Sequence, residues 1–151
     1  MITGLIHLHS LLRWVVLILL IATIIDSLLR MYRPFNSTDK KLALFSLASV
    51  HTQILIGLAL YFFGDHVGYY IKQGDVMKDS VSRFWVVEHF AGMVIAAVFI
   101  TVGYSRAKRA SEKWAKHRFI LVYYTVGLLL ILLSIPWPFR EAAKALGIGW
   151  I

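Results

Sequence analysis

The sequence contains no cysteine. That absence excludes disulfides, thiolate metal sites, iron–sulfur clusters, covalently attached haem and cysteine nucleophiles together. Charge is also scarce: 16% of the 151 residues are charged and only 8 are acidic, where an ordinary soluble domain is about a quarter charged. With 59% of residues hydrophobic, the composition is that of a membrane protein rather than a soluble globule. Proline is limited to three residues, and two of them, Pro136 and Pro138, flank the last residue of the last apolar run, where they end a helix. Because acidic residues are so few, the 16 Lys and Arg leave a net charge of +8. In a soluble protein that excess would suggest nucleic acid as a partner, but in an apolar chain it is first a topology signal, and no nucleic-acid partner is expected.

What is abundant is apolar sequence in four segments: about Leu5 to Leu29, Leu42 to Phe63, Phe84 to Tyr104 and Phe119 to Trp137. Each approaches the roughly 20 residues that a helix needs to cross about 30 Å of hydrocarbon. The expected fold is all-α, a single integral membrane domain over residues 1–151 forming a four-helix transmembrane up-down bundle. The first segment has no basic start, carries Arg13 and is followed by no small-residue cleavage site, so it is expected to stay in place as a helix. Ten of the 16 basic residues fall in the first and third loops, which predicts an N-out/C-out orientation with those loops against anionic lipid. The second loop, Gly64 to Arg83, balances its charges and is expected to form a short interfacial helix or an ordered cap.

Histidine is the main chemical resource left, and every predicted helix brings at least one. His7 and His9 open the first, His51 lies mid-way along the second, His89 lies near the start of the third, and His117 precedes the fourth. At about 1.5 Å of rise per residue, His9 and His89 sit level, about 6–8 Å inside the same edge of the apolar layer. In an up-down bundle their helices are diagonal partners, so the two imidazoles can approach one iron from opposite faces of a haem. His51 and His117 are the second candidate pair but differ in depth, and a pairing of His51 with His89 is a further arrangement. Gly92 and Ala96 follow His89 at i+3 and i+7, which either clears space for a porphyrin or marks a close helix–helix contact. Arg13, one turn below His9, is expected to meet Glu88, a haem propionate or a quinone oxygen. Ionisable groups inside a span are costly and mark function, which applies to His51, His89, Arg13 and Glu88.

The strings LIHLHSLLRWVV, SVHTQILIGLALYF, FWVVEHF and KHRFILVYY, with the closing IPWPFR, resemble the small bacterial four-helix membrane proteins labelled cytochrome B. More loosely they are similar to the di-haem b subunits of membrane dehydrogenases. The resemblance implies non-covalent haem b, one or two per chain, with axial ligands drawn from His9, His51, His89 and His117, in the cytoplasmic membrane of a bacterium. It further implies electron transfer between quinol or a partner subunit of a larger respiratory complex and a redox partner. The alternative is a haem-free membrane protein that binds metal ions or relays protons through the same histidines and Glu88.

Overall fold

The computed structural model describes residues 2–145, all of whose regular structure is helical. Four long helices, α1 (Ile2–Leu29), α2 (Ser37–Phe63), α4 (Ser80–Arg109) and α5 (Lys113–Ser134), are accompanied by two short ones, α3 (Asp65–Lys72) and α6 (Glu141–Ala145). All four long helices are long and apolar enough to cross a membrane, with lengths of about 33–45 Å at 1.5 Å per residue.

α2 and α4 start before their apolar runs, because polar residues cap and build their first turns. At α2 the Asn36 side chain accepts the amides of Thr38 and Asp39 at 2.8 and 3.0 Å, and the Asn36 amide donates to Asp39 Oδ2 at 2.8 Å. This reciprocal cap satisfies donors that a helix start otherwise leaves open. Asp79 does the same for α4, accepting the Ser82 amide at 2.7 Å and its hydroxyl at 2.6 Å. Those bonds favour the ionised form and hold the Asp79 carboxyl below the usual carboxylate range. α5 ends at Ser134 rather than Trp137, since Ile135 is extended (φ −65°, ψ 136°) as the residue before a proline prefers.

The helices pack in the ring order α1, α2, α4, α5, so that α1 faces α4 and α2 faces α5 across the diagonals. The tightest seam joins α4 to α5 through small residues. A Cβ built on Gly92 would overlap Ser134 Oγ, and one on Gly103 would overlap Tyr123 Cβ, the close approach that small residues permit between apolar helices. Leu20, Ile100, Ile120 and Tyr124 are fully buried at the centre. Polar links replace a hydrophobic driving force between some helices: Thr23 and Ser46 share a 2.6 Å hydrogen bond, Ser46 Oγ donates to the Leu19 carbonyl at 3.0 Å, and Tyr124 Oη donates across the diagonal to the Ala43 carbonyl at 2.8 Å. The outer surface of the bundle carries exposed Leu11, Ile18, Leu55, Val98 and Leu133. Burial of this belt requires an apolar surrounding.

Candidate functional site

His9 on α1 and His89 on α4 face each other across the diagonal, with ring centroids 6.5 Å apart and ring planes at 70°. They border a cavity of about 190 Å³ at the end of the bundle where α1 begins, whose other polar lining is Ser10, Arg13, Gln53, Tyr61 and Trp85. The remaining wall is mostly apolar, including Val50, Met93 and Ile131.

The backbone before His89 is unusual. Residues Phe84–Glu88 form a π turn inside α4, and the His89 amide reaches back to the Phe84 carbonyl. Single π turns of this kind re-aim side chains and recur at functional sites. Here the Val86 carbonyl, within that turn, accepts the Tyr61 hydroxyl at 3.0 Å. The His89 ring lies 5.9 Å from both Phe84 and Trp85 and donates from Nδ1 to the Ser134 carbonyl at 2.8 Å. Since a carbonyl only accepts, Nδ1 carries the proton and Nε2 presents its lone pair. In histidines that ligate metals, a bond from the other ring nitrogen to a carbonyl fixes the tautomer and the ring direction in the same way.

His9 is seated by α2. Gln53 Nε2 donates to the His9 carbonyl at 2.9 Å. One turn further along, Gly57 leaves room for the imidazole, as a Cβ there would lie 3.2 Å from His9 Cε1. Two polar atoms at this wall, His9 Nδ1 and Gln53 Oε1, are buried without a hydrogen-bond partner among the described residues. Such groups are rare in a finished interior, and each calls for an explanation such as a bound group.

The cavity is roofed. Val67 of α3 and Ala143 of α6 both line it, and Trp85 Nε1 donates to the Ala142 carbonyl at 3.1 Å, tying α6 down over His89. The second loop therefore forms the ordered cap that its balanced charge suggested. Tyr70 of α3 is buried, and burial pushes its hydroxyl above its ordinary range.

The other residues singled out from the sequence lie elsewhere or play other parts. Arg13 borders the cavity with its guanidinium carbon 5.6 Å from the Trp14 ring. Gly92 faces Ser134 of α5, so it serves the helix–helix contact rather than the cavity wall. Glu88 is exposed and pairs with Arg83 at 2.7 Å. The expectation of a buried Glu88 reaching Arg13 is thereby corrected, because α4 begins at Ser80 and places Arg83 within reach of Glu88 on the outer face of the helix. His51 is exposed against α4. The Thr101 hydroxyl gives its proton to the Ala97 carbonyl at 2.7 Å, so His51 Nε2 donates to Thr101 Oγ1 at 3.1 Å. His117 is fully buried at the opposite end of the bundle, 4.9 Å from the Phe35 ring and with Nε2 3.6 Å from Asp39 Oδ2. Arg30 joins this cluster by pairing with Asp26 at 2.9 Å and Asp39 at 3.6 Å. His51 and His117 thus have separate surroundings, and neither joins His89.

Sequence reasoning missed Ser134, Gln53, Gly57, Tyr61 and Trp85. Gln53 and Gly57 carried a readable signal, a polar residue and a glycine one turn apart within an apolar span. The backbone carbonyl of Ser134 carried none. Among the described residues no group of three or more His, Asp and Glu converges on a common point. Comparison of the chain with protein-family models, curated proteins and solved structures finds no match.

Proposed function

We propose that the chain is a multi-pass b-type membrane cytochrome that carries single electrons, with one haem held between His9 and His89. The observation that carries the reading is the spacing of the two rings. An imidazole nitrogen lies about 1.1 Å from its ring centroid, so two imidazoles bound at about 2.0–2.1 Å to one ion would have centroids about 6.2–6.4 Å apart when opposite and about 5.1–5.2 Å apart at a tetrahedral angle. The 6.5 Å found here lies nearer the separation that opposite ligands would have than that of tetrahedral ones. Two protein nitrogens also suit a haem, whose macrocycle supplies the other four ligands, better than a zinc site that needs three or four from the protein. When bound, haem supplies one-electron chemistry at its iron.

The chain's own residues have definable tasks in this reading. His9 and His89 bind, and the Ser134 carbonyl orients His89 and raises its basicity. The roof of Val67, Trp85 and Ala143 excludes water, which lowers the local dielectric and so tunes the potential. Arg13, at the cavity edge, supplies a positive charge for a propionate. The distribution of basic residues supports an N-out/C-out orientation; the bacterial cytoplasmic membrane, with quinol or a partner subunit as donor, is what the resemblance to cytochrome B proteins implies.

The test is the dithionite-reduced spectrum of protein expressed with ample haem. Wild type and His51→Ala are expected to show a low-spin b-type spectrum, and His9→Ala and His89→Ala to lose or shift it. An unchanged spectrum in His89→Ala would remove the assignment. Stoichiometric copper or zinc in a protein without porphyrin would favour the haem-free alternative.

A further inference from the structure

At the end of the bundle opposite the histidine cavity, a recess of about 250 Å³ opens between the start of α2, the last turns of α4 and the start of α5. Lys40, Lys108 and Lys116, one from each helix, line it, and Phe35, Tyr104 and Ala107 form its less polar wall. Among the described residues none of these three lysines has an ion-pair partner, although four other basic or histidine side chains do. Asp39, next to Lys40, is turned inward to Asn36, Arg30 and His117, and exposed Glu112, four residues from both Lys108 and Lys116, forms no ion pair with either among the described residues. Three lysines therefore line a concave space, and no described carboxylate is ion-paired to any of them. Their mutual repulsion is relieved by an anion that each can reach.

We propose that this recess binds the phosphate of an anionic phospholipid headgroup. Phosphate oxygens accept from several ammonium groups at once, and basic pockets between helix ends suit such headgroups. The recess also lies at the margin of the apolar belt: Leu44 and Phe45 on α2 and Val98 and Phe99 on α4 are exposed within about two turns of it. A lipid seated there lays its acyl chains along an already apolar surface, which a free phosphate has no means to use. The inference rests on the membrane reading of the four helices and is independent of haem.

The test is native mass spectrometry of the full chain released from nanodiscs containing equal phosphatidylglycerol and phosphatidylcholine. Wild type is expected to retain one phosphatidylglycerol in preference to phosphatidylcholine. Lys108→Gln/Lys116→Gln should lower that single adduct about tenfold or more, whereas Arg33→Gln/Lys41→Gln, which removes the same charge from the connection before α2 and from its first turns outside the recess, should change it less than about twofold. Equal losses in the two double variants would reduce the effect to general attraction and overturn the site. No preference for phosphatidylglycerol would do the same. If phosphatidylcholine nanodiscs with millimolar sodium phosphate instead give one phosphate adduct, lost in Lys108→Gln/Lys116→Gln, the recess is a free-phosphate site and the lipid assignment fails. The reduced spectrum of each variant reports separately on the haem reading and is expected to be unchanged.

Discussion

Gly92→Ala is the substitution for which the packing makes the sharpest demand. An added methyl group would overlap Ser134 Oγ and lie 3.0 Å from Ser134 Cβ. The overlap with the hydroxyl is the larger clash, and the tight approach to Ser134 Cβ remains if the hydroxyl rotates away, so Ser134 must shift or α4 and α5 separate by a few tenths of an ångström. Overpacking of this kind costs about 1–3 kcal/mol, while replacing a helical glycine by alanine returns up to about 1 kcal/mol of propensity. The expected net loss is up to about 2 kcal/mol, or several degrees in thermal midpoint. Gly68 in α3 provides the contrast, because a Cβ added there would meet nothing within 4 Å; Gly68→Ala should gain about 0.5–1 kcal/mol. Adding Ser134→Ala to Gly92→Ala removes the overlapping hydroxyl and should restore about 1 kcal/mol relative to additivity. Circular dichroism melts of wild type and these variants, with Ser134→Ala alone, in one detergent measure all of this. Gly92→Ala stabilising the fold as Gly68→Ala does, or strict additivity with Ser134→Ala, would refute the α4–α5 packing described.

Three further outcomes follow from particular contacts. Tyr124→Phe deletes the buried bond to the Ala43 carbonyl at 2.8 Å and should cost about 1 kcal/mol, measured by the same melts, with no change if the bond is absent. Asp79 has its folded pKa below the unfolded value, so its cap contributes above the unfolded value and is lost as pH falls through the folded one; the melting point of wild type should drop on acidification more than that of Asp79→Ala, and parallel curves would contradict the cap. Gly57→Val crowds His9, whose Cε1 lies 3.2 Å from the position of an added Cβ; haem retention per purified chain should fall, whereas the same change at Gly4, with nothing within 4 Å, should leave it intact.

The four helices were legible because length and apolarity alone specify a span, and the matching depths of His9 and His89 were legible because the helical rise is constant. Helix starts were harder, since the polar caps at Asn36 and Asp79 lie outside the apolar runs that were counted. The cap sequence from Asn36 to Asp39 is nonetheless a readable signal. Glu88 was misjudged in direction rather than depth: it adjoins His89 but lies on the exposed face, where Arg83 pairs with it. Direction around the helix axis was less accessible than depth. It put His51 on the surface beside Thr101 and buried His117 against Phe35 and Asp39, contacts that depend on which helices become neighbours. The π turn at Phe84–Glu88 and the Ser134 carbonyl belong to the backbone, and no side-chain pattern announces them.

The central claim is one haem between His9 and His89, and a pyridine haemochrome assay against protein concentration measures it most directly. The account predicts one haem b per chain in wild type and a large loss of bound haem in the His9→Ala/His89→Ala double variant. Two haems per chain, none, or an unchanged count in the double variant would contradict it.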